Sequence, residues 1–267
     1  MSKILFLGAG KMATAIAGGV VRAGLFQPEE LAAFDILDAA AEAFHETTAV
    51  HCATSGGRKV AVEAEWVRIA LKPQTLTAAL EGLRPLLADK PVLSIAAGVP
   101  IARLAELTGS GRIVRIMPNT PALIGRGAAA FASSSGALPE DRELARRIFS
   151  AVGIAIESDE KHLDAVTALS GSGPAYVFEF IQALADGGVA AGLARTTATE
   201  LAVQTVIGAA EMVRSTKLHP TVLKDQVTSP GGTTIRALEV LESHAFAGAL
   251  IEAVRAAAER SAELGRG

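Results

Sequence analysis

Gly8, Gly10 and Ala13 follow the apolar run Lys3 to Leu7 and precede an Ala-rich stretch, giving the pattern G-x-G-x-x-A between a strand and a helix. In that setting the first Gly permits a tight turn, the second lets a pyrophosphate approach the backbone, and the small third residue lets helix and strand pack closely. The helix opening at Lys11 and Met12 would turn amides and partial positive charge toward a phosphate. The chemistry on offer is dinucleotide binding; the alternative is a Gly-rich turn that only reverses the chain. An acidic side chain is expected roughly 20 residues further on, and Asp35 closes the run "LAAFD". Its carboxylate would accept hydrogen bonds from a ribose 2'-OH and repel a 2'-phosphate. Equally, it could be a solvated residue opening a helix for which Asp38 offers an N-cap.

Three later segments end strand-like runs: "LKPQ" (Leu71 to Gln74), "SIAAGV" (Ser94 to Val99) and "RIMPNTPALIGRGAAAF" (Arg115 to Phe131). In an open parallel sheet the ligand lies outside the carboxyl ends of the strands. Lys72 there could donate to ribose or phosphate oxygens, or snorkel at the surface. Asn119 and Thr120, fixed between two prolines, could bond a nicotinamide carboxamide or serve as a rigid connector. Near the far end, "DQVTSPGGTTIRALEVL" packs Ser229, Gly231, Gly232, Thr233 and Thr234 into a turn that opens a helix. Thr233 as a simple N-cap is the alternative there.

These residues need a scaffold, and the chain supplies two kinds. Up to residue 160, β-rich runs such as "KILFL", "WVRIALK" and "PVLSIAAG" alternate with Ala-rich helical segments, which argues for a parallel sheet covered by helices. From 161 to 267 the β-branched runs disappear and helical spacing is sustained. Residues 1–160 are therefore expected to bind a dinucleotide, and 161–267 to be all-helical. In "ALSGSGPAYVFEF" the helical pattern is interrupted, so a break is expected near Ser170 to Pro174.

Bulk properties narrow the function. A net charge of -3 with 20% charged residues gives no field for nucleic acid or acidic lipid. Hydrophobic residues reach 50% of 267 with 4% aromatics, yet acidic residues such as Glu179 and Asp186 interrupt every long apolar run. The surplus is expected to lie between subunits of a cytoplasmic oligomer with no membrane partner. One cysteine, Cys52, excludes an internal disulfide and a Cys-rich zinc site and reads as a buried small hydrophobe. The five histidines show no metal-ligand spacing, so no metal is expected.

In order, "GAGKMATAI", "LKPQ", "SIAAGV", "RIMPNTPALIGRGAAA", "ALSGSGPAYVFEFIQALADGGVAAGL" and "LKDQVTSPGGTTIRALEVLE" closely resemble the pyrroline-5-carboxylate reductase family over nearly the whole chain. The resemblance implies an α/β chain: an N-terminal Rossmann-type domain followed by an all-α dimerisation domain. It implies reduction of the cyclic imine 1-pyrroline-5-carboxylate to L-proline with NADPH or NADH. It also implies a homodimer through the helical domain, with dimers joined into larger rings. On this resemblance the cofactor-binding residues are Gly8, Gly10, Lys11, Met12, Asp35, Lys72, Pro73, Ala96, Ala97, Asn119 and Thr120. The substrate carboxylate falls to Ser229, Gly231, Gly232, Thr233 and Thr234, with the Thr234 hydroxyl near the ring nitrogen as the catalytic group.

Two features depart from the family pattern. The loop "TSGGRK" has Gly57 where an Asn usually meets the adenosine, and "FDILD" shows no Arg or Ser for a 2'-phosphate. Arg58 and Lys59 could offset that if their loop folds toward the ribose. Among other readings, a 3-hydroxyacid-type dehydrogenase would need a Lys with Asn four residues on, whereas Lys161 is followed by Ala165. A non-catalytic NAD(P)H sensor would be expected to lack the Ser229 to Thr234 loop, which is intact.

Overall fold

The computed structural model describes residues 3–265. Its single sheet has eight strands: β1 (Ile4–Leu7), β2 (Leu31–Phe34), β3 (His51–Ala53), β4 (Trp66–Ile69), β5 (Val92–Ser94), β6 (Ile113–Met117), β7 (Gly127–Ser133) and β8 (Gly153–Glu157). The spatial order is β3-β2-β1-β4-β5-β6-β7-β8. All neighbours pair parallel except β6 with β7, so the last two strands run against the first six. That reversal was not expected from the sequence: "GAAAFAS" in β7 is as Ala-rich as the helices, and its strand identity comes from its place beside β6.

Seven helices belong with the sheet before residue 160: α1 (Lys11–Arg22), α2 (Asp38–Thr48), α3 (Gly57–Glu63), α4 (Leu76–Glu81), α5 (Arg84–Leu87), α6 (Ile101–Thr108) and α7 (Pro139–Ser150). Two apolar clusters line the sheet's faces. One joins Phe6, Ile16, Phe44, Ile116, Phe131 and Phe149, the other Leu5, Val67, Ile69, Leu80, Leu87 and Leu104. Alternate residues of β1 feed opposite clusters, as the period of a strand dictates. Buried on both faces, β1 and β2 read as continuous apolar runs.

The remaining helices are α8 (Leu163–Val166), α9 (Gly173–Ala190), α10 (Arg195–Thr216), α11 (Pro220–Gln226), α12 (Thr233–Ser243) and α13 (Phe246–Leu264). Between α8 and α9, Thr167–Gly171 form a π turn, and the Ser172 amide donates to the Thr167 carbonyl at 2.8 Å. This is where the sequence required a break: Pro174 has no amide for a continuous helix. The chain forms two compact units, Met1–Ser172 with Ala256–Gly267, and Gly173–Arg255. Within the first, the Ser261 hydroxyl donates to the Asp164 carboxylate at 2.7 Å. Within the second, α9 and α10 pack through Ala185, Ala198 and Ala202, and Phe180 and Phe246 lie 6.0 Å apart.

Candidate active site

The first unit gathers its site candidates at the carboxyl ends of β1, β2, β4, β5 and β6. Gly8 leaves β1 with φ +100, and its amide donates to the Phe34 carbonyl at 2.9 Å. A Cβ at residue 8 would lie 2.8 Å from the Ala70 carbonyl oxygen, so both conformation and space demand glycine. Gly10 is the exposed N-cap of α1, and a Cβ there would meet nothing within 4 Å. No side chain caps α1 and its first turn holds no carboxylate, so the opening amides around Lys11 and Met12 are left to an external anion. Ala13, 1% exposed, packs the helix into the core beneath. These features fit a dinucleotide pyrophosphate: open space over Gly10, uncapped donors and a turn only glycine can make.

Asp35 follows β2 directly. One carboxylate oxygen accepts the Ala9 amide at 2.8 Å, inside the glycine turn, and the other accepts the Leu37 amide at 3.0 Å. A carboxylate offers about four acceptor positions, so capacity for ribose hydroxyls remains. Asp38 is the first residue of α2, and Leu37 is the N-cap. Lys72 is exposed after β4 and makes no ion pair among the described residues. Pro73 begins the short helical turn behind it. After β5, Ala96 is buried and Ala97 exposed.

Asn119 follows β6 and is 8% exposed. Its side-chain oxygen accepts the Ala128 amide at 2.8 Å and its nitrogen donates to the Ser170 carbonyl at 2.9 Å. The side chain thereby ties β7 to the π turn and satisfies a carbonyl that an unbroken helix would have used itself. Each end of the amide makes one of these bonds and keeps a second position, an acceptor lone pair on the oxygen and a hydrogen on the nitrogen. Thr120, next to it, is exposed.

The substrate candidates lie in the second unit. Gly231 has φ +68, and Gly232 caps α12 with extended backbone, its amide donating to the Ser229 carbonyl at 3.1 Å. A Cβ at Gly232 would collide with the Ser229 hydroxyl. No side chain caps α12, and its first turn, Thr233 to Arg236, contains no carboxylate. The helix opening therefore again leaves its amides to a ligand, here with the half-buried Thr234 hydroxyl beside them. Gly232 rather than Thr233 is the cap.

The partners of Gly57 and Arg58, Phe34 and Gly82, were not singled out in the sequence. Phe34 fills the space over Gly57, where a Cβ would lie 2.9 Å from its ring. Arg58 donates to the Gly82 carbonyl at 2.8 Å. Such pairings join positions 23 and 24 residues apart in sequence, respectively, and leave no local signal. Cys52 is half-buried rather than buried; burial, and then the Asp35 charge, push its thiol up to about 11.

Comparison with known proteins agrees with this geometry. The pattern of the family described as "Pyrroline-5-carboxylate reductase dimerisation" matches residues 160–264. That of "NADP oxidoreductase coenzyme F420-dependent" matches residues 3–98. A pyrroline-5-carboxylate reductase of Arabidopsis thaliana is 46% identical over 98% of this chain and 95% of its own length. A solved pyrroline-5-carboxylate reductase from Coxiella burnetii superposes with a TM-score of 0.92 at 36% identity, covering 98% of each chain. The Plasmodium falciparum pyrroline carboxylate reductase, solved with NADP bound, gives 0.88 at 35% identity, covering 99% of this chain and 98% of its own. With a glycine-turn nucleotide cradle and a second uncapped helix behind S-P-G-G-T-T, the chain belongs to the pyrroline-5-carboxylate reductase family.

Proposed function

We propose that this chain reduces the C=N bond of 1-pyrroline-5-carboxylate to give L-proline, using NADPH or NADH, as the last step of proline biosynthesis. The observation that carries the substrate reading is the uncapped opening of α12 behind Ser229 to Gly232, built to take a carboxylate on backbone amides. Thr234 would orient the ring nitrogen through its hydroxyl. A pyrroline nitrogen is far more basic than a carbonyl oxygen, so the iminium arrives with its own proton and the chain needs no strong acid. Reduced nicotinamide supplies the hydride when bound; the protein's part is positioning and exclusion of water. Gly8, Gly10, Lys11 and Met12 would hold the pyrophosphate, Asp35 the ribose, and Lys72, Pro73, Ala96, Ala97, Asn119 and Thr120 the remaining cofactor edge.

The family is one of homo-oligomers acting on a small molecule, and we extend this to a homodimer formed through residues 161–267, with dimers joined into rings. No helix among the described residues is long and apolar enough to cross a membrane, and we assign the protein to the cytoplasm. Mixing the purified protein with 1-pyrroline-5-carboxylate and NADPH or NADH should deplete the reduced-cofactor absorbance and form proline. Cofactor binding without depletion by either would overturn the reductase reading and leave a sensor.

A further inference from the structure

We propose that Asp35 makes this chain selective for NADH over NADPH, through a carboxylate fixed where a 2'-phosphate would have to sit. The inference rests on reading residues 8–13 as a dinucleotide cradle and goes beyond it. In this fold the acidic residue at the end of the second strand takes the ribose hydroxyls. Asp35 stands there, and its two oxygens are held by backbone amides, Ala9 at 2.8 Å and Leu37 at 3.0 Å. The first of these amides lies within the turn that would carry the pyrophosphate. The carboxylate cannot swing aside for a second anion without breaking a bond to that turn.

The surroundings offer a phosphate little in return. The next two side chains, Ile36 and Leu37, are exposed hydrocarbon at 77% and 62% and bring neither a donor nor a charge. Gly57 has no side chain, and none can be added without moving Phe34, whose ring lies 2.9 Å from the Cβ position. Arg58, in the same loop, turns one guanidinium nitrogen to the Gly82 carbonyl at 2.8 Å. Lys59, exposed in the first turn of α3, is the remaining cation of that loop. A phosphate monoester carries about 1.5 to 2 negative charges near neutral pH. It would meet a fixed carboxylate and apolar side chains, with the charges of Arg58 and Lys59 in partial compensation.

The test is equilibrium binding without imine, so that it stands apart from turnover. NADH and NADPH are titrated into the full-length protein by calorimetry, then 5'-AMP and adenosine 2',5'-bisphosphate to isolate the adenosine end. The wild type should bind NADH at least about tenfold more tightly than NADPH, the range of a 1.4 kcal/mol difference. Asp35→Ser should shrink or invert that ratio. Because Asp35→Ser also removes the bond to Ala9, both affinities can fall together; only the ratio is read. Asp35→Asn, which keeps the shape and removes the charge, must move the ratio the same way. Equal wild-type affinities, or a ratio unchanged in both variants, would overturn the proposal. Cofactor binding with the expected ratio but no imine reduction would leave it standing while sinking the substrate assignment.

Discussion

The two units differ in where their hydrophobic residues go. In the sheet unit, Phe6, Phe44, Phe131 and Phe149 are each 1% exposed or less, and two apolar layers are closed by the chain itself. Between Gly173 and Arg255 the buried apolar residues among those described are Ala185, Ala198, Ala202 and Leu223, while Phe178, Ile207, Val240 and Ile251 stand open. The first unit has a core; the second has the makings of one. Large exposed apolar surface of this kind marks an interface, and the family match over this segment is to a dimerisation domain. The chain thus separates a sheet unit that closes its own core from a helical unit whose apolar face is left for another copy to cover.

The strongest way to break that contrast is to charge the open face. Phe178→Glu with Ile207→Glu should leave the sheet unit folded but abolish oligomers in light scattering. Hot-spot residues of this kind carry about 2 kcal/mol or more each, so the dissociation constant should rise by at least roughly 1000-fold and imine reduction should be lost with it. Persistence of the wild-type assembly would show that the subunits meet elsewhere.

A second pair separates the two binding functions. Gly8→Ala places a methyl against the Ala70 carbonyl at φ +100 and should weaken NADH binding about 100-fold. Gly231→Val, strained at φ +68, should raise KM for the imine about tenfold and leave NADH binding unchanged. Thr234→Ala should lower kcat by a similar factor, with Thr234→Ser recovering it. Loss of cofactor affinity in Gly231→Val would erase the division of labour.

Not every buried group in the sheet unit is well served. Arg68 in β4 is fully buried, with its guanidinium 5.2 Å from the Phe6 ring centre and 4.7 Å from that of Phe149, and all three of its nitrogens lack a hydrogen-bond partner among the described residues. Arg112, by contrast, makes two bonds to the buried Asp141 carboxylate at 2.9 and 2.6 Å. Burial pushes the Arg68 guanidinium down to about 9. The folded state therefore binds fewer protons than the unfolded one from about pH 9 upward, and stability from this residue rises with pH across that alkaline range. Arg68→Met should raise unfolding stability at pH 7 by about 1–3 kcal/mol in urea titrations and abolish that rise. A less stable variant would show that the aromatic sandwich outweighs desolvation.

The smallest effect concerns Cys52. With its thiol pushed up to about 11, it should alkylate far more slowly than an ordinary cysteine at pH 8, and somewhat faster in Asp35→Ser, where one of the causes is removed. Equal rates in wild type and variant would place the whole shift on burial.

Much of this was legible in the chain because its causes are local. The turn at Gly8 to Ala13, the parallel strands around it and the break before Pro174 each follow from neighbouring residues. The antiparallel entry of β7 was not legible, because "GAAAFAS" has no signal separating it from a helix and its state is decided by Val114 to Met117 across the ladder. The same holds for the site. Asp35 could be placed near a ribose from spacing, but its bond to Ala9 joins residues 26 apart. Asn119 read as a nicotinamide contact because its loop stands at a strand end, but its bonds to Ala128 and Ser170, 9 and 51 residues away, had no local signal. Arg68 sits in "WVRIAL" like any strand charge on an open face; only the helix layer above β4 reveals it as buried.

The C-terminal half of α13 carries a consequence for how the molecule is made. Residues from Ala256 belong with the sheet unit, where Ser261 bonds Asp164, yet the 83 residues from 173 to 255 are synthesised in between. At about 5–20 residues per second, a ribosome holds the nucleotide-binding unit without its last segment for roughly 4 to 17 s. During that interval the helices with the open apolar face are already emerging. The unit translated first thus waits on a segment made after the second unit, and nascent chains stay exposed to mispairing until that segment has emerged.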